Sequence, residues 1–187
     1  MERKGQTKLC ARLLDVIEQE ILPKTQLGVK AGNKAFGAAI LRKVDLSLVI
    51  AAANQETTNP LFHGEISTLN AFYSLPASTR PNTSECLFLS THESCPLCLS
   101  AITWTGFDNF YYLFGYKETR DSFQIPHNLK ILQEVFKLSD GNYARQNKFW
   151  ESYDLKGLAS IASRKDTQSL KQQITRIKES YIYLSNT

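Results

Sequence analysis

The chain lacks most of what would place it in a membrane, outside the cell or on nucleic acid. No apolar run approaches the roughly 20 residues that a membrane helix needs. The first six residues, 1–6, are charged and polar with no apolar signal core, which predicts a cytoplasmic protein. Charge of one sign is scarce: the formal net charge is +4 and the pI about 8.8, too mild to imply nucleic acid by itself. Cysteine is limited to Cys10, Cys86, Cys95 and Cys98. Their spacing is not that of a secreted disulfide framework, so a reducing compartment with thiols free to bind metal is expected. Internal repeats and low-complexity tracts are absent. What is present is an ordinary globular composition, 42% hydrophobic and 11% aromatic, which excludes a disordered chain. A length of 187 residues suits one domain with a full core.

Hydrophobic periodicity organises the first two thirds. Residues 1–8 are polar and read as loose. Leu9, Leu13, Val16, Ile17 and Ile21 fall at helical spacing, and Pro23 is expected to close that helix. Residues 24–34 read as loop. Residues 35–41 and 46–53 read as strands joined by a turn at 42–45, followed by a polar loop over 54–62. Ile66, Leu69, Asn70 and Tyr73 predict a helix opened by His63. Residues 86–89 read as a third strand, 95–104 as a helix and 110–114 as an aromatic strand. Strands separated by single helices predict a layered α/β sheet. Beyond Gly115 the pattern weakens. Residues 129–138 look helical, although 135–138 could equally be a fifth strand. Residues 166–183 place Leu170, Ile174, Ile177 and Tyr181 on one helical stripe.

Two short stretches carry chemistry. His63-Gly64-Glu65 offers an imidazole and, two residues on, a carboxylate. Cys95-Pro96-Leu97-Cys98 offers two thiols on one face of a first helical turn. One His and two Cys are three zinc ligands of suitable softness, and a fourth position stays open for water, the ligand count of a catalytic rather than a structural zinc. Helix starts carry free N–H groups and partial positive charge, which favour thiolates. Zinc lowers the pKa of a bound water to about 7 in favourable sites. Glu65, near the metal but not on it, is then free to take the water proton and deliver it to a ring nitrogen and a leaving amine. The bland alternative is a closed zinc knuckle or a pair of buried core thiols. The combination of His-x-Glu at one helix start and Cys-x-x-Cys at the next favours the catalytic reading, because that pattern is the known signature of zinc nucleobase deaminases.

On these residues the chain resembles the cytidine and deoxycytidylate deaminase superfamily. It is most similar to the branch holding guanine deaminase, yeast-type cytosine deaminase and the tRNA adenosine deaminases. Phe36-Gly37-Ala38 resembles the branch's first-strand motif, and Asn54 its substrate-binding Asn after the second strand. Asn59-Pro60 before His63 is similar to the pattern that leads into its zinc helix. His63–Leu69 looks like the cytosine deaminase version, with Gly64 where most members have Ala. Residues 95–104 look more like the guanine deaminase version. The likeness covers residues 33–116 and fades afterwards. Ser94 stands where the family has Pro, which predicts a looser turn that still binds metal.

The resemblance implies a three-layer α/β/α fold with a central mixed sheet of about five strands and helices on both faces. It implies a deaminase domain over 1–160, with an amphipathic helical extension over 161–187 packed on it. It implies Zn2+ held by His63, Cys95 and Cys98, with Glu65 as proton shuttle. Asn54, the Gly64 N–H and the Glu93 carbonyl would contact substrate. Phe36 and Trp104 would either wall the pocket or pack in the core, and core is preferred. Residues 149–154, with Trp150, form either a flap over the site or, preferably, an ordinary amphipathic helix. His92 reads as a neighbour of the site or exposed, and His127 carries no signal. The expected substrate is a free nucleobase or nucleoside with a guanine-like or cytosine-like ring. Arg164, Lys165, Lys171, Arg176 and Lys178 leave open a tRNA adenosine substrate, although a solvated helix face is preferred. A zinc-binding scaffold subunit is the third option. A homodimer is expected through the zinc helices, with the aromatic run 107–116 either as interface or as buried central strand.

Overall fold

The computed structural model describes residues 3–187, the side chains of Arg3 and Arg164 excepted. A five-stranded sheet runs through its centre in the order β2-β1-β3-β4-β5. The strands are β1 (Gly37–Arg42), β2 (Leu48–Ala53), β3 (Cys86–His92), β4 (Asn109–Phe114) and β5 (Glu151–Asp154). β1 pairs antiparallel with β2 and β3, while β3, β4 and β5 run parallel, so the sheet is mixed.

Period-two alternation splits the sheet between two cores. Ala38, Ile40, Phe88, Phe110 and Tyr112 face α3 (Gly64–Tyr73) and α4 (Pro96–Trp104), where Leu69, Phe72 and Ile102 meet them. Ala39, Leu41, Leu89 and Leu113 face the other way. They pack against α1 (Arg3–Val16), α2 (Leu22–Lys30), α7 (Leu155–Ser160) and α8 (Arg164–Ser185) through Leu13, Ile17, Leu155, Ile177 and Tyr181. The result is an α/β/α sandwich. α5 (Tyr116–Phe123) and α6 (His127–Glu134) complete the chain order between β4 and β5.

The first helix departs from the sequence reading at both ends. It begins at Arg3 rather than Leu9, and it does not stop at Pro23. A π-helical turn over Ile17–Ile21 joins α1 to α2, and the Leu22 N–H bonds back to the Ile17 carbonyl. That extra residue in the turn lets Pro23 fall in the first turn of α2, where a missing N–H is tolerated. Ile17 and Ile21 of this turn are fully buried.

The last third also differs. Residues 135–138 are not a strand; α6 ends at Glu134. The fifth strand is β5, within the stretch expected to be a flap or a helix. It pairs in register with β4, Tyr111 opposite Tyr153, and those two rings stack 4.8 Å apart. The aromatic run on β4 is buried throughout, so it offers no interface surface. α8 is capped by Ser163, whose Oγ accepts from the Asp166 N–H at 3.3 Å, and it lays Leu170, Ile177 and Tyr181 into the core.

Candidate metal centre

The sheet brings three chain segments to one end. β2 ends just before Asn54, β1 begins after Phe36, and β3 ends at His92, all on the edge where α3 and α4 start. His63 and Cys95 occupy the same position at their helices. Each is the residue before the first turn, extended at φ −61°, ψ 163° and φ −66°, ψ 168° respectively, and neither side chain caps its own helix. Both are free to turn inward. Cys98 follows one turn into α4 and is fully buried.

The three ligand atoms form a small triangle. His63 Nδ1 lies 3.4 Å from Cys95 Sγ and 3.7 Å from Cys98 Sγ, and the sulfurs are 3.5 Å apart. Zinc bonds of about 2.3 Å to sulfur and about 2.0 Å to nitrogen, arranged tetrahedrally, put their ligands roughly 3.5–3.8 Å from one another. The donor set and its spacing therefore fit a zinc ion with one position left for a further ligand. Among the described residues this is the one group of His, Cys and acidic side chains placed to hold a metal. The thiols divide their roles. The hydrogen bond between the two thiols, with help from His63, lowers the Cys95 thiol well below its ordinary value, while Cys98 is raised. The imidazole of His63 is raised chiefly by its hydrogen bond with Cys95.

Glu65 sits one residue into α3, 7% exposed, with the Ser90 hydroxyl donating to its Oε1 at 3.0 Å. Burial, then the nearby Cys95 sulfur, raises its pKa, so it binds a proton more readily than a free glutamate. That is the shift a proton carrier working near neutrality needs. Among the described residues, the Ser94 hydroxyl is the one buried side-chain polar atom without a hydrogen-bond partner. Ser94 stands at the position where a Pro was expected, and its carbonyl accepts from the Tyr116 hydroxyl.

A cavity of about 70 Å³ opens beside the triangle, lined by Phe36, Asn54, Glu56, Glu65 and Glu93 together with the metal ligands His63 and Cys95. Phe36 stands edge-on to His92 at 4.5 Å, so it walls the pocket rather than joining either core. Asn54 Oδ1 accepts from the Gly64 N–H. That N–H, expected to read the substrate, is therefore already engaged. Gly64 has a different duty: a Cβ there would lie 2.6 Å from the Gly37 Cα, so only glycine lets α3 cross β1 this closely.

The Glu93 carboxylate points to the last third of the chain. Its Oε1 accepts from Tyr143 at 2.8 Å and from Arg145 Nη2 at 2.7 Å, and its Oε2 from the Tyr116 N–H at 2.9 Å. This network fastens the segment before β5 to the metal loop. Two expected contacts lie elsewhere. Trp104 is 89% exposed at the end of α4, neither pocket wall nor core. Trp150 is buried against Phe110, 5.0 Å between rings, and its Nε1 donates to Thr103 at 2.8 Å, away from the cavity. The α5–α6 turn and the start of α6 also line the cavity, through Ile125, His127 and Asn128. His92 is buried and lines the same space. Nothing in the sequence pattern singled out Glu56, Ser90, Ile125 or Asn128. Their roles depend on which turn folds over which strand.

An α/β/α sandwich with a His–Cys–Cys triangle at two helix starts and a buried carboxylate beside it defines a metal-binding site with an acid–base group at hand. The family description "Cytidine and deoxycytidylate deaminase zinc-binding region" matches residues 16–114, just over half of the 187 residues. The chain belongs to that deaminase family, and its site is a zinc site. Among solved structures it is similar to guanine deaminase from Nitrosomonas europaea, at 15% identity, with 89% of this chain and 84% of that one covered and a TM-score of 0.51. A tRNA:A34 deaminase matches at 18% identity over 71% of this chain and 92% of that one, TM-score 0.47. Guanine deaminase from Bacillus subtilis matches at 20% identity over 80% and 99%, TM-score 0.44. At such identities the likeness is one of fold. No curated protein matches the chain in sequence.

Proposed function

We propose that the chain is a hydrolytic deaminase of a free nucleobase or nucleoside with a guanine-like or cytosine-like ring. The observation that carries this reading is the position of Glu65. Its buried carboxylate shares one small cavity with His63, Cys95 and Asn54. In the reaction, water adds to the ring carbon that bears the amine. The C–N bond to that amine breaks, ammonia leaves and the carbon keeps the oxygen as a carbonyl. A bound zinc supplies the Lewis acidity that makes water a nucleophile near neutral pH. Glu65 takes the proton that water gives up and returns it first to the ring nitrogen, then to the departing amine. Ser90 holds the carboxylate in place through Oε1. Asn54 orients the ring edge, Phe36 packs on its face, and the α5–α6 turn keeps bulk water out.

An edited tRNA would need a free cationic face. Two of the five cations of α8 are already paired, Arg176 with Glu18 at 3.3 Å and Lys178 with Glu118 at 2.8 Å. An intact Glu65 opposes the reading as an inert scaffold. The same proposal includes a homodimer through α4, whose Leu97, Ala101 and Trp104 form an i, i+4, i+7 stripe, with Leu97 39% and Trp104 89% exposed. The deciding experiment is ammonia release from a panel of purine and pyrimidine bases and nucleosides, with zinc content measured in parallel. Turnover that Glu65→Ala abolishes supports the reading; none on any member of the panel overturns it. Inosine formation in tRNA, with affinity falling steeply in salt, would favour editing instead.

A further inference from the structure

The cavity wall carries an imidazole outside the metal triangle. His92 ends β3, is 3% exposed and borders the same space as Glu65 and Asn54. Aromatic rings hold it in place, Phe36 at 4.5 Å, Phe123 at 4.8 Å and Phe114 at 4.9 Å between centroids. Burial, with Lys156 adding to it, keeps the ring uncharged at neutral pH.

The bonds around Thr91 decide which ring nitrogen carries the hydrogen. Thr91 Oγ1 accepts from the Gly37 N–H at 3.2 Å, donates to the Gly37 carbonyl at 3.1 Å and lies 3.0 Å from His92 Nδ1. A hydroxyl has one hydrogen and two lone pairs. The hydrogen is on the Gly37 carbonyl and one lone pair is on the Gly37 N–H. The second lone pair is what remains for His92, so Nδ1 is the N–H and donates. Turning the hydroxyl toward His92 would strip that bond from the buried Gly37 carbonyl. Nε2 is therefore the bare nitrogen, an acceptor, and among the described residues nothing bonds to it. It is not sealed off either, because the one buried side-chain polar atom without a partner is the Ser94 hydroxyl. The open space that His92 borders is the cavity beside the metal triangle.

We propose that His92 is a specificity-determining residue whose Nε2 accepts a hydrogen bond from an N–H of the bound base. The inference rests on the deaminase reading and adds a recognition contact to it. The chemistry selected is a ring N–H or an amine hydrogen at that point of the ring edge. A carbonyl oxygen or a bare ring nitrogen there would meet Nε2 lone pair against lone pair, and an alkylated nitrogen would meet it with carbon. A neutral hydrogen bond of this kind is worth about 5- to 10-fold in affinity.

Two isosteres separate the roles of the two ring nitrogens. In His92→Asn the carboxamide N–H takes over the Thr91 bond and the cavity acceptor is lost. In His92→Gln a carboxamide oxygen stands near the Nε2 position. The probes are cytosine, guanine and their singly N-methylated derivatives, with binding measured by calorimetry on zinc-loaded Glu65→Ala protein, which holds base without converting it. Adding His92→Asn weakens the best-bound base by about 5- to 10-fold, and His92→Gln restores most of the loss, at equal zinc content. One methylated derivative binds the Glu65→Ala protein more weakly and shows no further loss with His92→Asn, which identifies the N–H concerned. The nitrogen NMR spectrum of the ligand-free protein shows His92 with Nδ1 protonated and Nε2 bare, and Nε2 shifts when base is added. The inference is overturned if Nε2 carries the proton, if His92→Asn binds the base undiminished, or if every methylated derivative suffers the full His92→Asn loss. Ammonia release with Glu65 intact separates the two failures. Release from some base, with no effect of His92→Asn on its binding, removes this inference alone; no release from any base removes the deaminase reading as well.

Discussion

The two helical layers of the sandwich do different work. The α3–α4 layer is thin, and its helices spend their first turns on His63, Glu65, Cys95 and Cys98 rather than on capping or packing. The opposite layer, α1, α2, α7 and α8, holds the larger core and none of the metal ligands. One sheet thus separates a layer that positions chemistry from a layer that supplies most of the burial. Substitutions on the first side should cost activity at little cost in stability, and substitutions on the second should do the reverse.

The sharpest way to break that division is Glu65→Ala. We expect kcat to fall by about 10²- to 10⁴-fold, with zinc content and urea midpoint close to the parent, read by ammonia release, elemental analysis and denaturation. A large loss of stability instead would show that the α3 layer carries fold as well as chemistry. Leu13→Ala on the far layer should lower stability by about 2–5 kcal/mol, because Leu13 is fully buried between α1 and the sheet. Its kcat, measured on the folded fraction, should stay near the parent value.

His92 stands between the layers, its ring edge-on to Phe36 at 4.5 Å and to Tyr181 at 5.6 Å. Burial, with Lys156 adding to it, drops its pKa from 6.5 to about 3. Below pH 6.5 the unfolded chain therefore takes up a proton that the folded chain refuses until near pH 3. Stability should fall as pH drops from 6.5, by about 1 kcal/mol per pH unit, and His92→Phe should flatten that slope. Equal slopes in parent and variant would refute the assignment. The smallest effect belongs to the far layer's surface. Burial pushes the Glu118 carboxyl up, but Lys156 and Lys178 outweigh it and hold it below 4.5. Its contribution is complete above pH 4.5 and lost as pH falls through the lower folded value. Glu118→Gln should cost about 1 kcal/mol or less at pH 7, with the difference closing in acid.

The same division governs how much the sequence discloses. The metal side reads well because its cues are local: His-x-Glu and Cys-x-x-Cys lie within single turns, and β1 to β4 follow apolar runs bounded by polar loops. Pro23 misleads because a π turn one residue upstream absorbs it, and no residue type marks such a turn. β5 is hidden because Glu151-Ser152-Tyr153-Asp154 is a half-exposed edge strand, and a parallel neighbour more than 35 positions away sets its register. Trp104 and Trp150 trade expectations for a similar reason. Burial depends on what packs opposite, and Phe110 meets Trp150 while Trp104 is left 89% exposed.

Residue order alone paired His63 with Glu65 and Cys95 with Cys98 as candidates, since each pair lies within one helical turn, but only the sheet brings the starts of α3 and α4 together. The rest of the pocket came from folding at long range. Asn54, Glu56 and Gly64 meet only because β1 aligns β2 with the start of α3. Glu93 is held by the Tyr116 N–H and by Tyr143 and Arg145, whose places about 50 residues on give no cue in the sequence. Hydrogen bonds join atoms that are close in space, and distance along the chain says nothing about which ones those will be.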